Sequence, residues 1–404
     1  MARAVWEKST VAQLKDALKA RGLPAAGKKD VLVNRLVDAE SAAPADSSPS
    51  ALLVALLGAV LLGATSLGFM ALESTLSATD AFYLSVQTLS TVGYGDVYLE
   101  NGSRAFAVLV ALLAGGLFCG PVLDLTSSWT KRVGANGVRG AVVIFSIVAL
   151  VAMGLFHALE GWAPFDSLYF AVITGTTIGY GDHTPFATDT GKVAAAIFAL
   201  FAVNAVGVVV SNASDALVAL TKMNTKSSAS VALVGVGIVA TTSALLVAAQ
   251  PGLSAVDAFY FSAITLSTVG FGDEGFTPTT MEAKCVVILA ALLAGGFFCG
   301  PVLDLAASWR PATLRCGVLS AVALAAGLCA ASAALFHHLE GWAYDEGAYF
   351  AVITGTTIGY GNHTPFATDS GKVAAGLFAL LTVSAMGLVV STISDALSTL
   401  IGTS

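Results

Sequence analysis

The chain has 404 residues, of which 56% are hydrophobic and 11% charged, with a formal net charge of −7. Soluble globular proteins carry about 25% charged residues, so the composition excludes a soluble enzyme, and its hydrophobicity excludes a disordered chain. Uncharged runs such as Leu52 to Leu72, at about 1.5 Å per helical residue, cross the roughly 30 Å hydrocarbon core of a bilayer, which predicts a multi-pass membrane protein.

Residues 1–40 stand apart, with eight Lys and Arg against five acids. They read as a small cytosolic module. A capped helix is predicted over 11–20, a turn over 21–27 and a second helix over 28–40, with Leu14, Leu18, Leu32 and Leu36 as the apolar face. The run LKDALKARGLPAAGKKDVLVNRL resembles the SAP motif, a helix-extended-helix module. That resemblance implies nucleic-acid binding, but in a membrane protein a protein or lipid headgroup is the preferred partner of residues 9–40. The basic side chains Lys15, Lys19, Arg21, Lys28 and Lys29 suit either. Residues 41–50 (SAAPADSSPS) form a linker. No cleaved-signal pattern precedes Ala51, so the first apolar segment reads as a signal anchor.

Eight long apolar segments follow, at 51–72, 105–125, 138–159, 193–220, 231–249, 283–305, 314–336 and 373–400. They pair around four shorter, half-polar stretches. Four hexapeptides recur within those stretches: TVGYGD at 91–96, TIGYGD at 177–182, TVGFGD at 268–273 and TIGYGN at 357–362. Their threonines are 86, 91 and 89 residues apart. Above this repeat sits another, because Tyr169–Ala195 matches Tyr349–Ala375 at 25 of 27 positions, 180 residues away. The chain is a two-repeat unit, A-B, duplicated whole into units at 51–125, 138–220, 231–305 and 314–404.

Aligned on the signature threonine, each repeat has an acid eleven residues earlier (Asp80, Asp166, Asp257, Glu346). A tyrosine stands eight earlier (Tyr83, Tyr169, Tyr260, Tyr349) and a second threonine three earlier (Thr88, Thr174, Thr265, Thr354). The acid suits a helix start, where it accepts from unpaired N–H groups. About ten helical residues follow, too few to span a bilayer, which predicts a re-entrant helix. Non-helical backbone at membrane depth is tolerated only where it lines a water-filled path or is buried in protein.

These motifs resemble the carbonyl-lined selectivity filter of potassium channels, and the closest subfamily is the tandem-pore potassium channels. The resemblance implies an all-α membrane protein with eight transmembrane and four re-entrant pore helices. It further implies that one chain forms one pseudo-tetrameric pore, a background conductance without a voltage sensor. K+ would bind the carbonyls of Thr91, Val92, Gly93 and Tyr94, of Thr177, Ile178, Gly179 and Tyr180, of Thr268, Val269, Gly270 and Phe271, and of Thr357, Ile358, Gly359 and Tyr360. Gly95, Gly181, Gly272 and Gly361 complete each turn. Two departures, Phe271 in place of tyrosine and Asn362 in place of the terminal acid, would soften selectivity. The short 73–79 segment leaves no room for the cap of animal members, so plant and algal types look closer.

Basic residues in the inter-unit connections (Lys131, Arg132, Arg139, Lys222, Lys226, Arg310, Arg315) put that face, and both termini, in the cytosol; a plasma or vacuolar membrane fits. The opposite face gathers acids, with Asp96, Asp182, Asp273 and Asn362 at the outer mouth beside His183 and His363, which suggest an external pH response. Asp124, Asp215, Asp304 and Asp395 fall 20, 23, 20 and 23 residues after the basic residue opening each inner segment, which predicts an acidic ring at the inner mouth. Gly-Pro pairs at 120–121 and 300–301, and Gly207 and Gly387, are hinge candidates. The five cysteines, Cys119, Cys285, Cys299, Cys316 and Cys329, read as small buried hydrophobes. No catalytic constellation or metal-ligand cluster is present, so neither an enzyme nor a cofactor beyond permeant K+ is expected. The competing readings are a four-repeat potassium transporter and a silent anchor whose SAP-like module does the work.

Overall fold

The computed structural model describes residues 9–20, 29, 31–34, 36, 51–114, 137–184, 186–221, 224, 227–272, 278–297, 317–361 and 366–401. The 41–50 linker, both Gly-Pro pairs, Cys119, Cys299, Cys316, Asp124, Asp273, Asp304, Asn362 and His363 lie outside the described residues. The chain divides into two units, residues 1–50 and 51–402.

In the first unit, α1 (Val11–Ala20) opens on a reciprocal cap: Thr10 N donates to Gln13 Oε1 at 2.9 Å and Gln13 N to Thr10 Oγ1 at 3.4 Å. Leu14 and Leu18 sit one turn apart and bury against Leu32, Val33 and Leu36. A five-residue apolar cluster is what a module this small can form.

The second unit repeats one plan four times: long helix, short helix, extended segment, long helix. The repeats are α2 (Ala51–Leu72), α3 (Ala78–Leu89) and α4 (Asn101–Ala114); α5 (Gly137–Glu160), α6 (Pro164–Gly175) and α7 (Asp189–Thr221); α8 (Ser228–Ala249), α9 (Ala255–Leu266) and α10 (Met281–Phe297); α11 (Val318–Glu340), α12 (Tyr344–Gly355) and α13 (Asp369–Ile401). Among the described residues five helices are long and apolar enough to cross a membrane: Gly140–Glu160, Asp189–Thr221, Ser228–Ala249, Val318–Glu340 and Asp369–Ile393. Most of their surface is exposed apolar side chain, as at Leu150, Val236 and Leu319, a surface suited to lipid and not to water. Cys285 is also exposed, not buried, and Cys329 is half-buried.

The four short helices have the same length, 12 residues, and the same logic. Ser77 and Asp80 cap α3 reciprocally, and Ser254 Oγ accepts from Asp257 N at 3.1 Å at the start of α9. Pro164 opens α6, where its missing N–H costs nothing, and Glu346 accepts from Ala343 N at 3.0 Å at α12. Each short helix is buried along its second half and packs against the long helix of the next repeat: α3 on α7, α6 on α10, α9 on α13, and α12 on α4. The order of contacts is therefore cyclic, the last repeat meeting the first.

Candidate functional site: four converging backbone segments

Each short helix ends because the next threonine leaves helical space. Thr91, Thr177, Thr268 and Thr357 have φ of 58°, 60°, 57° and 61°, the only non-glycine residues with positive φ among those described. A left-handed β-branched residue costs on the order of 1–3 kcal/mol, and such strain persists only where the surroundings over-determine it. Here the determinant is a forked hydrogen bond: Val92 N and Gly93 N both donate to the Gln87 carbonyl, at 2.9 and 3.1 Å. Ile178 and Gly179 do the same to Ile173, Val269 and Gly270 to Ile264, and Ile358 and Gly359 to Ile353.

With the N–H groups turned back to the helix, the carbonyls face away from it. None of the sixteen carbonyls of Thr91–Tyr94, Thr177–Tyr180, Thr268–Phe271 and Thr357–Tyr360 accepts a hydrogen bond among the described residues, although almost all of these residues are buried. Buried carbonyls are rarely left unpaired, and oxygens concentrated in this way have the chemistry to coordinate a cation. The four segments converge: a Cβ on Gly93 would overlap the Ile358 carbonyl oxygen, one on Gly179 that of Val92, one on Gly270 that of Ile178, and one on Gly359 that of Val269. Only glycine lets four backbones approach this closely at φ near +50°.

A belt of aromatic hydroxyls holds the segments from behind. Tyr94 OH meets Thr174 Oγ1 of the next repeat at 2.7 Å, Tyr180 bonds Thr265, and Tyr360 bonds Thr88. Phe271 breaks the belt: it stacks on Phe350 at 5.1 Å, and the buried Thr354 hydroxyl is left without a partner. The repeated threonine three residues before the signature is thus explained as the anchor of a neighbouring repeat.

At the outer end, Asp96 receives Tyr83 OH at 3.0 Å and Gln87 Nε2 at 3.3 Å. Burial pushes its carboxyl above the usual aspartate value against these donors. Asp182 Oδ1 lies 3.3 Å from His183 Nδ1, and the His183 ring packs 5.0 Å from Trp162 and 5.6 Å from Tyr169. Of the inner-mouth acids, Asp215 is exposed on α7, and Asp395 lies in α13 with its side chain outside the description.

Two features escape a motif search. Gln87 is the only polar residue four positions before the signature threonine, where Ile173, Ile264 and Ile353 stand elsewhere; aligning the repeats one position further would have found it. The first-turn acids also meet a lysine, since Lys192 Nζ reaches Asp80 at 2.6 Å, Lys284 reaches Asp166 at 2.5 Å and Lys372 reaches Asp257 at 2.7 Å. Each lysine belongs to the next repeat. Burial raises the Asp80 carboxyl, but the Lys192 ammonium and the Ser77 hydroxyl outweigh it and hold it below its ordinary value; Lys372 and Ser254 act likewise on Asp257.

The same fourfold plan appears in comparison with known proteins: the ion channel family matches at residues 55–131, 141–219, 230–309 and 324–399. The chain belongs to the ion channel family. This channel also matches the SAP domain at residues 6–41. It is 34% identical over 177 residues to "Two pore potassium channel b" of Oryza sativa subsp. japonica, covering 39% of this chain and 50% of that protein. It is 32% identical over 149 residues to "Two-pore potassium channel 4" of Arabidopsis thaliana (30% and 52%). It is 29% identical over 128 residues to "Potassium channel subfamily K member 4" of Rattus norvegicus (26% and 32%). The matches span a third to about half of these curated relatives.

Proposed function

We propose that this channel conducts K+ passively through one pore formed by a single chain, a pseudo-tetramer with A/B pseudo-twofold symmetry. The observation that carries the reading is the set of buried, unpaired carbonyls presented by four converging segments. Oxygens fixed in this way replace a monovalent cation's hydration shell. The similarity to proteins named as two-pore potassium channels supports K+ as that cation.

On this reading the pore units are 51–125, 138–220, 231–305 and 314–404. Eight helices span the bilayer, and α3, α6, α9 and α12 are re-entrant. The acid-rich filter face is extracytosolic, and the termini are cytosolic. Thr91, Thr177, Thr268 and Thr357 form the innermost ion site with their carbonyls and hydroxyls. Asp96, Asp182 and Asp273 concentrate cations at the outer mouth, and Asp124, Asp215, Asp304 and Asp395 do so at the inner one. A long helix rich in regularly spaced arginines would be needed for an intrinsic voltage sensor, and the sequence has none. The SAP module engages a cytosolic protein or headgroup.

The test is the reversal potential of purified protein in planar bilayers as K+ replaces Na+ on one side. A K+-selective pore shifts by about 59 mV per tenfold change. A shift well under half that value would reject selectivity, and the absence of single-channel openings in a protein that retains its fold would favour the transporter or anchor reading.

A further inference from the structure

The four inter-repeat junctions are not equivalent. At three of them the lysine that is the fourth residue of α7, α10 or α13 closes on the capping acid of the preceding short helix, at 2.5–2.7 Å. At the junction between repeats four and one the corresponding residues are Arg104, also the fourth residue of its helix α4, and Glu346. They do not pair. Arg104 turns back on its own repeat, donating from Nε to the Leu99 carbonyl and from Nη2 to Tyr98 OH, both at 2.9 Å, with its guanidinium 5.4 Å from the Tyr98 ring and 5.7 Å from that of Tyr349. Glu346 accepts from its own N-cap backbone.

Between them opens a cavity of about 340 Å³. Arg104, Asp345 and Glu346 are its charged lining, while Val108, Cys329 and Val352 line its apolar part. Leu109 of α4 and Val322 of α11 are exposed, so both helices that contribute to the lining also carry exposed apolar side chains. The site therefore presents a cation and two carboxylates held apart, above an apolar wall.

We propose that this junction binds one zwitterionic phospholipid. Its phosphate takes the remaining Arg104 N–H donors, its ammonium takes the Glu346 and Asp345 carboxylates, and its chain lies along Val108, Val352 and Cys329. A purely anionic lipid would place its charge beside two carboxylates, and a purely cationic amphiphile would leave Arg104 facing its own charge. The zwitterion supplies both halves of the ion pair that the other three junctions build from protein. The inference uses the membrane location of the family and not potassium selectivity, so it stands or falls separately from the reversal-potential test.

The experiment is native mass spectrometry of the full chain in detergent, delipidated and titrated with phosphatidylethanolamine, phosphatidylglycerol or a trimethylammonium diacyl lipid. One phosphatidylethanolamine should bind at least about tenfold more tightly than either of the others, and Arg104→Gln or Glu346→Gln should each weaken it about tenfold, as loss of a charge-assisted contact does. Val108→Trp, which fills the cavity and leaves both charges in place, should abolish the tight site. Because that variant alters neither charged residue, it keeps the test alive if a charge variant fails to fold. Equal retention by the wild type and the cavity-filling variant, or equal affinity for all three lipids, overturns the proposal.

Discussion

At the residue scale, the four extended segments alternate Val and Ile at their second position, and one of them, at Phe271, lacks the hydroxyl that the other three carry. Thr88, Thr174 and Thr265 each bond a tyrosine from the preceding repeat in cyclic order, while Thr354 has only Phe271 opposite it. A hydrogen bond of this kind is worth about 0.5–1.5 kcal/mol, and a buried unsatisfied group costs about 1–3. Thr174→Val should therefore lower the thermal midpoint in detergent by the equivalent of about 1 kcal/mol, whereas Thr354→Val should leave it unchanged or raise it. Phe271→Tyr should raise it and sharpen K+ over Na+ discrimination, measured by reversal potential; a variant less selective than wild type would refute the belt as the brace. Gln87 acts similarly on the first strand. Gln87→Ile removes one of the two side-chain donors to Asp96, and open-channel noise or filter-dependent inactivation should change in that variant alone among substitutions at this alignment position.

At the element scale, three of the four short helices are tied at their N-terminal ends to the lysine of the next repeat, through the acid of the first turn. Partly exposed ion pairs are worth about 0.2–1 kcal/mol each, so Lys192→Met and Lys372→Met should be individually mild and together cost about 0.4–2 kcal/mol. The pH dependence follows from the lowered Asp80 and Asp257 values. A carboxyl whose folded value lies below its unfolded one stabilises the fold above the ordinary value of 3.8, and that contribution is lost as pH falls through the folded value. Thermal melts carried from neutral pH to below the ordinary value of 3.8 should drop more steeply in wild type than in the double methionine variant, which has no such latches to lose. Parallel curves would show that the lysines hold nothing.

At the scale of the whole molecule, the packing of α3 on α7, α6 on α10, α9 on α13 and α12 on α4 brings the last repeat against the first. If one chain is one pore, a dead subunit cannot poison a live one. Gly179→Ala, whose Cβ would overlap the Val92 carbonyl at a φ of +54°, should abolish current. Its co-expression with wild type in equal amounts should leave about half the current of wild type alone at twice the dose, the additive result for independent particles. A reduction towards a quarter would require two chains per pore. Single-molecule subunit counting with one fluorophore per chain gives the same answer without relying on current.

The sequence alone determined the membrane class, the four repeats and their A-B-A′-B′ duplication, because hydrophobic length and glycine spacing are local properties written along the chain. It also pointed to Asp80 and Glu346 as caps and to the hydroxyl missing from Phe271. Only the tertiary structure decided that the threonines sit at positive φ, that Thr88, Thr174 and Thr265 anchor the preceding repeat's tyrosine, and that three junctions carry a lysine latch while the fourth holds a cavity. Each of these depends on which repeat lies beside which, and residues 80 and 192, or 104 and 346, become neighbours only when the contacts close on themselves. A pattern within one repeat can report a cap or a turn; it cannot report the partner that another repeat brings to it.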